Sequence, residues 1–143
     1  MAERNTFRTA GIVMIGGGLA LAALTFITWY EINGNEVSAW DALRRTDVAI
    51  FAAGIVAAAC GAWLGFGDPG PEGRFVAMLA TAASALAALV IVLRIASPPG
   101  DGEVKIGIFL ALLAAAVTAA GGLMALSSSR GAAPGPTAPT PGQ

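Results

Sequence analysis

Four long apolar runs with no charged residue inside them set the terms on which this chain folds. They cover about residues 9–29, 48–66, 75–93 and 106–126. Each is close to the roughly 20 apolar residues that a helix needs to cross a bilayer. A barrel strand is only about 9–11 residues long and alternates in polarity. Unpaired backbone amides are intolerable in hydrocarbon, so each run reads as a continuous helix. Of the 143 residues, 56% are hydrophobic and 12% charged, against about 25% charged in ordinary soluble domains. A chain this short exposes too much surface to hide that apolar content from water. The expected fold class is an all-α membrane protein, an antiparallel four-helix transmembrane bundle spanning residues 9–126.

The connections refine this expectation. Residues 67–73, Gly-Asp-Pro-Gly-Pro-Glu-Gly, and 97–102, Ser-Pro-Pro-Gly-Asp-Gly, are turn chemistry. Both are short, which makes spans two, three and four antiparallel neighbours. Loop one is longer and more complex. Asn33-Gly34-Asn35 reads as a turn. Ser38 and Asp41 resemble a capping box with Asp in place of Glu. Val37, Trp40 and Leu43 follow at helical spacing, opposite Asp41, Arg44 and Arg45. This predicts a short helix lying in the membrane interface. Residues 127–143 are Ser-, Pro-, Ala- and Gly-rich without periodicity, and a disordered C-terminal tail is expected.

Arg4 and Arg8 give residues 1–8 a basic start, but apolar residues run on to Trp29, past the length of a signal peptide's core, so span one is retained. With the N-terminus inside, Arg4, Arg8, Arg74 and Arg130 lie inside and Arg44, Arg45, Arg94 and Lys105 outside. The totals are equal. The first span often dominates orientation, so both termini are expected in the cytoplasm of a bacterial inner-membrane protein.

The residues available for chemistry are few. The chain lacks histidine and has one cysteine, Cys60. That removes His-based metal sites and acid–base catalysis, and internal disulfides. No basic block exists to hold nucleic acid. No nucleophile–base pair or metal set is legible, so neither catalysis nor a cofactor is expected. The small multidrug transporters are similar in size and span number, but they rely on a membrane-embedded glutamate that no span has here. Thr25, Thr28, Cys60, Thr81, Ser84 and Thr118 are the polar side chains of the spans. Their hydroxyls are expected to bond the preceding helical turn.

Small residues recur every four positions, as in Ala53, Ala57 and Gly61. Gly16, Gly17, Gly18, Ala57 and Gly61 are the candidate helix-packing positions, since three glycines in mid-helix need a close crossing or a kink to recover their cost. Trp29, Tyr30, Trp40, Asp41, Asp47 and Arg94 form a candidate interaction cluster at the outer face. Asp47 and Arg94 are expected to pair across the ends of spans two and three.

Trp29-Tyr30 ending span one, Ala39-Trp40 in loop one and Asp47 opening span two resemble a pattern in small four-span membrane proteins of actinobacteria, whose function is unassigned. The resemblance covers the first half of the chain. It implies the same topology and a bacterial inner-membrane location, and supplies no activity. The functional expectation is a protein that acts by binding, as an accessory or scaffold subunit of the cell envelope. Its partners would be the bilayer and a membrane protein or further copies of itself. The alternative is a subunit of an oligomeric small-solute transporter or channel.

Overall fold

The computed structural model describes residues 2–38, 44–68, 70–98, 100 and 102–131. The elements run α1 (Ala2–Leu24), β1 (Thr28–Ile32), β2 (Asn35–Ser38), α2 (Arg44–Phe66), α3 (Gly73–Ala96), β3 (Glu103–Val104) and α4 (Ile106–Gly131). All four helices are long and apolar enough to cross a membrane. They form a ring in which each packs on the next and α4 closes against α1; α2 and α3 are the most loosely joined pair. Large side chains such as Phe75, Leu86, Ile106 and Leu113 point outward and are exposed, an arrangement that suits lipid rather than water.

Small residues let the helices approach closely. A Cβ added at Gly18 would stand 2.5 Å from the Gly54 carbonyl oxygen and 2.8 Å from the Ala58 nitrogen. One turn-pair lower, a Cβ at Gly61 would stand 2.7 Å from the Gly11 carbonyl oxygen. Hydrogen there brings the backbones of α1 and α2 into direct contact, which is how apolar helices associate where lipid competes equally for apolar side chains. The interior then falls into two clusters. One near the sheet holds Leu21, Trp29, Tyr30, Ile50, Ile91 and Ile108. The other, at the far end, holds Ala10, Met14, Leu64, Ala77, Ala80 and Ala125.

The first part of loop one is a sheet edge, and residues 39–43, the body of the expected interfacial helix, lie outside the described residues. The loop's described residues form a hairpin, β1 antiparallel to β2 with Ile32 opposite Asn35. The two-residue link, Asn33 (φ 52°) and Gly34 (φ 79°), carries the left-handed backbone of a type I′ turn. Val37 therefore lies in a strand, while Trp40, Asp41 and Leu43 fall outside the described residues. β3 adds to the other edge of β1, giving the order β2-β1-β3.

Helix bounds also differ from the expected spans. α1 stops at Leu24 rather than running to residue 29, because Thr28-Trp29-Tyr30-Glu31-Ile32 is β-branched and aromatic and takes up strand pairing. The Trp29 indole nitrogen donates to the Leu24 carbonyl at 2.8 Å, satisfying one of the acceptors that every helix end leaves open. At the C-terminus α4 extends through residues 127–131, the start of the expected tail. The hydroxyls of Ser127 and Ser128 donate to the Met124 carbonyl at 2.8 and 3.0 Å instead of competing with the helix. The rest of the tail, 132–143, lies outside the described residues.

Candidate functional site

The polar side chains within the bundle are spent locally. Thr25 donates to the Ala22 carbonyl, Thr81 to Ala77, Ser84 to Ala80 and Thr118 to Ala114, all at 2.7–2.8 Å. A hydroxyl returned to its own helix adds little polarity to the interior. Two of them also seat helices. A Cβ at Gly17 would strike the Thr118 hydroxyl, and one at Gly122 the Thr81 hydroxyl. Cys60 is half-buried against the cluster around Ala10 and Met14.

A further set of polar groups stands at the end of the bundle that carries the sheet. β1 is irregular between Thr28 and Tyr30, and such a bulge re-aims side chains that would otherwise alternate between faces. Trp29 and Tyr30 are consequently both 0% exposed. They are core residues of the cluster near the sheet. Asp47 sits in the first turn of α2, where the helix dipole favours a carboxylate, and it is also 0% exposed.

Arg94, in the last turn of α3, crosses to α2 at the level expected for the Asp47–Arg94 pair. Its Nη2 donates to the Thr46 hydroxyl at 2.8 Å, one residue before Asp47. Tyr30 lies within the electrostatic reach of both charges. Burial raises the pKa of its phenol, Arg94 pulls it back down and Asp47 pushes it further up. The Tyr30 hydroxyl has no hydrogen-bond partner among the described residues.

A second pair closes the other side of the sheet. Lys105 donates to Glu31 of β1 and stands 3.9 Å from Glu103. The hydrogen bond to Glu31 holds the Lys105 pKa above its usual value. The Lys105 amide also bonds the Trp29 carbonyl at 2.8 Å, so main chain and side chain tie the same two segments.

The structure thus brings Tyr30, Asp47 and Arg94 together with Trp29 behind them. Trp40 and Asp41 of the candidate cluster lie outside the described residues. Of the candidate packing positions, Gly17, Gly18, Ala57 and Gly61 are buried between helices, while Gly16 is exposed with nothing within 4 Å of an added Cβ. Sequence reasoning passed over Thr46 as a partner for Arg94, although it was legible as a residue heading span two. It also passed over Gly11 and Gly54, which stand seven residues before Gly18 and Gly61 and mark the same α1–α2 seam. The described residues hold no group of three Cys, Asp or Glu placed to bind a metal. Compared with family models, curated proteins and solved structures, the chain matches none.

Proposed function

We propose that this chain is a multi-pass protein of a bacterial inner membrane that acts by binding, as an accessory or scaffold subunit, without catalysis. The observation that carries the reading is the division of polarity just described. The hydroxyls inside the helical ring are consumed by their own backbones. Trp29, Tyr30 and the Glu31–Lys105 pair lie on or beside the sheet at one end, and Asp47 and Arg94 stand at that same end on the helices. A path for ions or protons usually runs past ionisable residues within the spans, and the four span interiors contain none. The exposed edge of the sheet, Asn35 and Glu36 on β2, supports recognition at the membrane surface instead. In this reading both termini face the cytoplasm, Arg4 and Arg8 anchor that side, and the sheet faces outward.

Two measurements test the proposal. Purified protein in liposomes should pass no ions or small cations above the protein-free background. Isolation from native membranes in mild detergent should give one partner, or further copies of the chain, at fixed stoichiometry, and a Glu36→Lys change on the exposed β2 should reduce that yield. Flux that scales with protein would place the channel or transporter subunit ahead. Isolation as a lone monomer with native activity of the envelope unchanged on deletion would overturn the binding role.

A further inference from the structure

A groove of about 310 Å³ runs down the outside of the seam between α2 and α3, the most loosely packed pair in the ring. Its walls include Ala49, Ala53 and Val56 on one side and Ala83, Ala87 and Val90 on the other. Alanines form the trough because they fill less space than the leucines and valines beside them. At its upper end Val90 also lines a second depression, of about 310 Å³, made by Thr46, Leu93, Arg94 and Ser97. The two adjoin at Val90: an apolar groove with a guanidinium and two hydroxyl-bearing residues beyond its upper end.

We infer that this seam binds one anionic phospholipid, its phosphate held by Arg94 and one acyl chain lying in the groove. Depth supports the assignment. From Arg94 to Ala83 the helix covers eleven residues, about 16 Å at ~1.5 Å each. That is one leaflet of a hydrocarbon core ~30 Å thick, so the groove accommodates a chain from a single leaflet with its headgroup at the level of Arg94. Charge supports it too. A guanidinium carries five N–H donors in a planar fork suited to phosphate. The bond to Thr46 uses one of them. Arg94 forms no ion pair among the described residues, and it is half-buried rather than swung out into solvent. Phosphatidylcholine offers the same phosphate, but its own choline cation offsets that charge beside the guanidinium, so the net-anionic headgroup is the better partner. At the same end of α2 the exposed Arg45 adds a second cation, and the Asp47 carboxylate is buried away from the surface where a headgroup would lie. This site does not depend on the binding role proposed above, since it concerns lipid and not a protein partner.

The test is native mass spectrometry of the full chain in mild detergent with equal amounts of palmitoyl-oleoyl phosphatidylglycerol and the matching phosphatidylcholine. The expected result is one retained phosphatidylglycerol, preferred roughly five-fold, the worth of one basic side chain at an anionic lipid surface. Arg94→Gln should abolish the preference and Arg94→Lys should keep part of it. Thr46→Val removes the hydrogen bond while leaving the guanidinium, so it should retain the preference and show that loss in Arg94→Gln is not a folding defect. Ala87→Leu or Ala53→Leu fills the groove and should expel both lipids. Glycerol phosphate, which lacks acyl chains, should not compete. Equal retention of the two lipids by the unaltered protein would reduce Arg94 to an ordinary interfacial anchor and overturn the proposal. So would selectivity that survives Arg94→Gln, retention unaffected by Ala87→Leu, or competition by glycerol phosphate.

Discussion

Replacing the three consecutive glycines of α1 by alanine, one at a time, separates helix packing from helix propensity. At Gly18 the new methyl would stand 2.5 Å from the Gly54 carbonyl oxygen and 2.8 Å from the Ala58 nitrogen. Both are backbone atoms of a packed helix and cannot rotate away, so α1 and α2 must separate. Overpacking of this kind costs about 1–3 kcal/mol. Alanine returns at most ~1 kcal/mol of propensity over glycine. With the full return subtracted, the net expectation is a loss of ~0–2 kcal/mol. At Gly16 nothing lies within 4 Å of the added atom, so only the propensity gain operates and stability should rise by ~0–1 kcal/mol. Gly17 meets the Thr118 side chain, with the Ala114 carbonyl at 3.2 Å; a hydroxyl can rotate, and its loss should fall between the other two. Reversible unfolding in mixed micelles, followed by helical circular dichroism, gives the three values. Gly18→Ala combined with Gly54→Ala should lose less than the sum, because one separation of the helices relieves both clashes. Equal stability of Gly16→Ala and Gly18→Ala would refute the α1–α2 contact.

Three further outcomes follow from the sheet end of the bundle. Tyr30 is the single tyrosine of the chain, so phenolate absorbance reads it alone; it should ionise above the usual value of about 10 when folded and near 10 when unfolded. The unfolded form then loses its proton first, and folding stability should fall as pH rises past about 10; titration at or below 10 in the folded protein would show that Tyr30 is not buried. The raised Lys105 pKa contributes stability that is complete below its usual value of about 10.5 and is lost as pH rises through the folded value. Glu31→Gln should remove that part of the alkaline loss, and melting curves across the alkaline range would show whether it does. Finally, Trp29→Phe removes the donor that satisfies the Leu24 carbonyl and should cost ~1–3 kcal/mol, whereas Trp63→Phe at an exposed position should be near neutral by the same unfolding assay.

The four helices were legible because length and uninterrupted apolarity decide between very few structures in lipid. The return of Thr81, Ser84 and Thr118 to their own backbones was legible for the same reason, since hydrocarbon offers no competing partner. Loop one was harder. Two patterns overlap there: Asn33-Gly34-Asn35 was legible as a turn, but the helical spacing of Val37, Trp40 and Leu43 concealed that Val37 lies in the strand after it. The flanking Thr28–Ile32 stretch is rich in strand formers, but its apolar residues merge with span one and hide the boundary. Gly16, Gly17 and Gly18 look alike in sequence and differ by about 100° around the helix axis at each step. Only the positions of the neighbouring helices decide which of them is closed and which open. The Arg94–Thr46 bond shows the same limit: equal helix lengths gave the shared depth of Arg94 and the head of α2, while which side chain there accepts from the guanidinium depends on packing that the sequence does not carry.

The pairing of β1 with β3 gives the bundle a clasp whose halves are made at opposite ends of synthesis. β1 follows the first helix and β3 directly precedes the last. As the chain emerges, α1, the hairpin, α2 and α3 can all be in place while one edge of β1 still offers unpaired amides and carbonyls. Tyr30 pairs with Val104 and Glu31 with Glu103 only when the final segment arrives, and Lys105 then latches onto Glu31. Until that moment Trp29 and Tyr30 lack the cover of Ile108 and Ala111. Completion of the fold is thereby made to wait on the fourth helix: a chain stopped before residue 103 keeps an open strand edge and two uncovered aromatic rings at the membrane surface, features by which an unfinished copy differs from a finished one.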